Sequence, residues 1–106
     1  MEPTREQRKH PRYLVHMKSI FSTDGVRLED GLVLDLSLGG CRLRSTHDLP
    51  SGSPIALHLR PDQHAPVYIP NAIVRWAKSS TVGVQFNEIP DLELGTLTRL
   101  IWTLRS

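Results

Sequence analysis

Short runs in which every second residue is apolar, each closed by glycine, proline or aspartate, constrain this chain more than any other feature. In "IALHLR", Ile55, Leu57 and Leu59 share one side, and "TVGVQF" does the same with Val82, Val84 and Phe86. A period of two belongs to an extended strand with one face on a core, because successive side chains point to opposite sides of the pleat. A helix cannot bury such a pattern on one stripe.

Four more stretches extend the theme. "CRLRS" sets Cys41 and Leu43 inward and Arg42 and Arg44 outward. "YLVHMKSIF" puts Tyr13, Val15, Met17 and Phe21 on one side with His16 and Lys18 opposite, although Leu14 and Ile20 blur the alternation. In "GLVLDLS", Leu32, Leu34 and Leu36 are expected on the core face, with Val33, Asp35 and Ser37 on the other. "VYIPNAIVRWA" contains Pro70, which cannot donate to a ladder and so belongs at an edge or a bulge.

Asp24-Gly25 is a strong hairpin signal, and "DLPSGSP" and "PDQHAP" read as loops. The C-terminal stretch changes period. Leu97, Ile101 and Leu104, adjoined by Leu94 and Leu100, have helical spacing, with Pro90 and Asp91 marking the start and Gly95 weakening the first turn. The expected fold is therefore mainly β: six short antiparallel strands as a small barrel or sandwich, with a C-terminal α-helix laid on one face or an open end. Residues 1–12 read as a flexible polar arm, and 13–106 as the barrel with its helix. The chain's 106 residues suffice for one hydrophobic core.

Charge narrows the functional classes. Thirteen Lys+Arg stand against 11 Asp+Glu, a net charge of +2, too small an excess for a general nucleic-acid surface. Any anion site must be local. The single cysteine, Cys41, excludes an intramolecular disulfide, and its apolar phase favours a buried thiol over a nucleophile. His10, His16, His47, His58 and His64 are scattered without metal-site spacing, and no glycine-rich phosphate loop occurs. No catalytic or metal site is expected. No apolar run approaches the ~20 residues that span a bilayer, and "MEPTREQRKH" lacks the apolar core of a secretory signal. The expectation is a cytoplasmic protein without membrane association.

Two segments carry chemistry. "RKHPR" holds Arg8 and Arg12 on a stretch that Pro11 keeps extended, since proline disfavours a helical His10. A guanidinium fork matches phosphate oxygens and the O6/N7 edge of guanine, and its flat face stacks on bases. "DLSLGG" places Asp35 and Ser37 on one strand phase, with Gly40 permitting a tight turn or the close approach of a ligand. Alone, the first reads as a solvated tail and the second as an ordinary strand exit.

Together, Arg-x-x-x-Arg before the first strand and Asp-x-Ser-x-x-Gly at the end of the second resemble the PilZ family of cyclic-di-GMP receptors. The later "GVQF", with Gly83 and Phe86, resembles that family's closing strand, so the likeness spans nearly the whole chain. The resemblance implies a six-stranded antiparallel β-barrel with a C-terminal helix that binds cyclic di-GMP and engages a protein partner, with motility and biofilm control as the general setting. By the same analogy, Arg8 and Arg12 clamp guanine and phosphate, Asp35 and Ser37 hold a base edge or phosphate, and Gly40 leaves room. Gln7, Lys9 and His10 flank the clamp, and Arg42 and Arg44 stand either as added phosphate contacts or as a solvated face. Trp76 has two readings, a guanine stacker or core packing with Val74 and Ala72. A ligand-independent interaction module on the same barrel is the alternative. A single-strand nucleic-acid binder fits poorly, since Tyr13 and Phe86 are phased inward and only two Trp, two Tyr and two Phe exist.

Overall fold

The computed structural model describes residues 10–105. The strands are β1 (Tyr13–Ser22), β2 (Glu29–Leu36), β3 (Gly40–Arg44), β4 (Pro54–Arg60), β5 (Val67–Lys78) and β6 (Thr81–Glu88), followed by helix α1 (Asp91–Leu104). All neighbours pair antiparallel around a closed barrel in the order β1-β2-β3-β6-β5-β4, and β4 returns to β1. This is the architecture expected from the alternation. Closure leaves no exposed strand edge for another chain to extend.

The β1–β2 turn is held by one side chain. Asp24 Oδ1 accepts from the backbone N–H groups of Val26 and Arg27, both at 2.8 Å, while Gly25 takes a left-handed φ of 78°. Those backbone donors hold the Asp24 carboxyl below its ordinary 3.8.

Bulges decide which residues face inward. Between β2 and β3, Val33 pairs with Leu43 but Asp35 with Arg42, so Leu34 is an extra residue in the ladder. The phase of β2 consequently changes mid-strand. Val33 and Leu36 are fully buried, whereas Leu32 and Leu34 are only half-buried, which corrects the expected face of Leu32, Val33 and Leu34 and keeps that of Leu36. Asp35 stays on the outer face, as alternation placed it: its ladder partners are Arg42 and the exposed Leu14. It is buried there beneath arginines rather than in the core, while Ser37 is buried in the β2–β3 corner. A second bulge lies between β5 and β6: Val74 pairs with Val84 and Trp76 with Gly83, leaving Arg75 unpaired. Trp76 thereby leaves the phase of Ala72 and Val74 and is 42% exposed, which removes the core-packing reading. Pro70 lies where β5 shifts register against β4, a position that spares it a ladder bond.

The interior is filled by Phe21, Leu43, Leu57, Leu59, Ile69 and their neighbours, and α1 adds Leu97, Leu100 and Ile101. The helix has no side-chain N-cap; instead Glu93 in its first turn accepts from the Tyr68 N–H at 2.8 Å, tying α1 to β5. Cys41 is completely buried, and its thiol is pushed up to about 12, first by burial and then by the Asp35 charge. No helix among the described residues is long and apolar enough to cross a membrane.

Candidate functional site

The site begins at the corner between β2 and β3. Ser37 Oγ accepts from the N–H groups of Gly39 (3.1 Å) and Gly40 (3.2 Å), and the Ser37 N–H donates to the Gly40 carbonyl at 2.9 Å. The corner is locked to β6 by the Phe86 N–H donating to the Gly39 carbonyl at 2.9 Å. Gly40 is obligatory for a local reason. A Cβ there would run into the Val84 carbonyl of β6, so the missing side chain makes room for a neighbouring strand rather than for a ligand. At Gly39 a Cβ would sit 3.2 Å from the ring of His10, which packs over this residue.

Asp35 stands behind the corner with its side chain 10% exposed. Its Oδ1 accepts from the Arg42 N–H at 3.0 Å and from Arg12 Nη1 at 3.4 Å, while Oδ2 lies 3.2 Å from Arg42 Nε. That last contact is an ion pair without hydrogen-bond geometry, since Arg42 Nε has no hydrogen-bond partner. The carboxylate is thus an internal organiser of two arginines. Asp35 keeps the outer face expected from the sequence, but Arg12 and Arg42 occupy its carboxylate there and the corner consumes Ser37, so the two do not form a freely presented acceptor pair.

In front of the corner lies an open groove of about 670 Å³. His10, Arg12, Ser37 and Gly39 line one side, and Arg75, Trp76 and Gln85 the other, with Gly40, Gly83, Val84 and Phe86 between. Trp76 owes its place to Gly83: the pyrrole side of the indole occupies the space that a Cβ at 83 would need. Among the described residues, the lining contains two arginines and a histidine and no carboxylate. Such a groove suits a planar anion. It offers a flat aromatic surface for stacking and guanidinium donors for phosphate or a base edge.

Arg12, Ser37, Gly40, Trp76 and His10 therefore converge as the sequence suggests, with Asp35 one layer behind. Arg42 and Arg44 do not line the groove; they border a separate depression with Leu14 and Leu34. Gln7, Arg8 and Lys9 lie outside the described residues. Arg75 and Gln85 were not foreseen, since a polar residue on an outer strand face looks like any solvated position. The available signal was the adjacency of Arg75 to Trp76.

A PilZ domain family model matches residues 6–102. The chain belongs to the PilZ domain family. Among solved PilZ structures, the PilZ domain of YcgR from Escherichia coli with c-di-GMP superposes with a TM-score of 0.75 at 15% identity, covering 93% of this chain and 92% of that one. The PilZ domain of CeSA from a cellulose-synthesizing bacterium gives 0.71 at 17% identity, covering 91% and 99%. The Bacillus subtilis inhibitor of motility MotI/DgrA gives 0.70 at 18%, and there the match takes in 91% of this chain but 50% of the other. At these identities the likeness establishes a shared PilZ fold. No curated protein matches the sequence.

Proposed function

We propose that the groove binds cyclic di-GMP, and that the bound state is relayed to a protein partner in the cytoplasm. The observation that carries this reading is the exposed indole of Trp76, seated on Gly83 across from Arg12 in a groove that no carboxylate of the described residues lines. Cyclic di-GMP has two guanines and two phosphates, so it asks for aromatic faces and fixed cations together. Stacking one base on Trp76 contributes ~1–3 kcal/mol.

Arg12 spends one terminal nitrogen on Asp35 and keeps other donors for the ligand, with its side chain 36% exposed. Asp35 contributes chiefly by aiming that guanidinium. Arg8 closes the clamp from the arm, with Gln7, Lys9 and His10 beside it, while Ser37 and Gly40 shape the surface on which the ligand rests. Ligand contacts to Arg8 and Arg12 offset the entropy of ordering the arm, and the ordered arm is the altered surface a partner reads. The PilZ family membership and the c-di-GMP in the YcgR structure support the choice of ligand.

Calorimetric titration with cyclic di-GMP tests the reading. Micromolar or tighter binding is expected, and it should disappear in Arg8→Ala and Arg12→Ala while both variants keep the β-sheet circular dichroism. Affinity retained in both variants would refute the clamp.

A further inference from the structure

Resting on the groove reading above, we infer that Arg75 and Gln85 form a guanine-recognising wall, which makes them the residues that select guanine over adenine. Arg75 is the residue skipped by the β5–β6 ladder, and the bulge that omits it turns both Arg75 and Trp76 outward side by side. Bulges near sites re-aim side chains, and this one is braced from behind. The Gly52 N–H donates to the Val74 carbonyl at 2.7 Å, the Val74 N–H donates to the Ser53 carbonyl at 2.9 Å, and Ser51 Oγ donates to the Arg75 carbonyl at 2.9 Å. The backbone carrying Arg75 is therefore fixed although its ladder to β6 is interrupted. Among the described residues the Arg75 side chain pairs with no carboxylate, so its donors remain available to the groove.

Gln85 stands two residues beyond Gly83 on the same outer face of β6, and thus flanks the position of the indole. Its Nε2 donates to Asn87 Oδ1 at 3.3 Å, which leaves Oε1 as an acceptor. The wall then presents a donor fork and an acceptor beside one aromatic face. Guanine on that plane offers two acceptors, O6 and N7, to the fork, and its N1–H and 2-amino group to an acceptor. Adenine places a donor at N6, where the fork also donates, and has no 2-amino group for Gln85. A phosphate contact by Arg75 would be blind to the base; an edge contact is not.

The test is calorimetry on the full chain with cyclic di-GMP, and competition by cyclic di-AMP, for the unaltered protein and for Arg75→Ala, Arg75→Lys and Gln85→Leu. All three substitutions are at exposed positions, and thermal melting monitored by circular dichroism should be unchanged. Arg75→Ala is expected to weaken cyclic di-GMP on the order of tenfold and leave cyclic di-AMP unaffected. Arg75→Lys should not restore affinity, because an ammonium lacks the planar fork. Gln85→Leu should narrow the same selectivity by less. Equal losses for both ligands, full rescue by lysine, or no change in any variant would overturn the inference while leaving the groove reading intact. Failure of the unaltered protein to bind cyclic di-GMP would overturn both.

Discussion

The two walls of the groove are built on opposite plans. At the β2–β3 corner the acceptors serve the protein itself: Ser37 holds the turn, and Asp35 gathers Arg12, Arg42 and a backbone N–H, leaving the remaining Arg12 donors to the groove. On the β5–β6 wall, Arg75, Trp76 and Gln85 project outward, and only the backbone beneath them is tied down. One wall is organised and the other is offered. A substitution at the corner should therefore cost both stability and binding, whereas one on the opposite wall should cost binding alone.

The sharpest break of that contrast is Gly40→Ala. The added methyl meets a backbone carbonyl that cannot rotate away, so the loss should reach about 3 kcal/mol, the upper end of overpacking costs. Chemical denaturation measures it directly, and a wild-type midpoint would show that the corner is softer than described. Asp35→Ala comes next, at about 2 kcal/mol. It strands two arginines and one N–H, but those arginines are more than a third exposed, so solvent recovers part of the ~3–5 kcal/mol lost when a buried pair is broken. Its effect on ligand affinity should follow that of Arg12→Ala, since the carboxylate acts through that guanidinium.

Trp76→Ala is the matching substitution on the other wall. It should weaken cyclic di-GMP by about 1–2 kcal/mol, roughly a fivefold to thirtyfold loss, with the denaturation midpoint unmoved. A destabilised Trp76→Ala protein would mean the indole is a structural plug for Gly83 before it is a platform. Smallest of all is a pH effect remote from both walls. The Asp24 carboxyl titrates below 3.8 in the folded turn, so its contribution is present above that pH and is lost as pH falls through the folded value. Asp24→Asn should flatten the acid limb of a stability-against-pH curve, lower neutral stability by the same small contribution, and leave binding alone.

The same contrast accounts for what was legible in the sequence. β4 and β6 follow simple alternation, and Ile55, Leu57, Leu59, Val82, Val84 and Phe86 are all buried as their spacing demands. The helix stripe at Leu97, Leu100 and Ile101 is equally faithful. β2 and β5 each carry a bulge, and one extra residue puts the faces on its two sides out of phase with each other. Nothing in "GLVLDLS" marks Leu34 as that residue, because a bulge is defined by the pairing strand. Both bulges bear on the groove: the first displaces Leu32 and Leu34 from the core face beside Asp35, and the second decides between the two readings of Trp76 and sets Arg75 out beside it. The motif residues themselves were readable as chemistry by type and spacing. Of the opposing wall only Trp76 was readable, as one of two readings, since the Gly83 position that seats it meets it only across two strands.

The central claim, that the ligand lies on Trp76 in this groove, has a direct optical test. Trp102 is exposed on α1 and stacked by Arg105 at 4.4 Å, so Trp102→Phe removes the other tryptophan without touching the core. Titrating that protein with cyclic di-GMP should quench the remaining emission saturably, at the affinity found by calorimetry. Unchanged emission at ligand concentrations that calorimetry shows to be saturating would contradict the account.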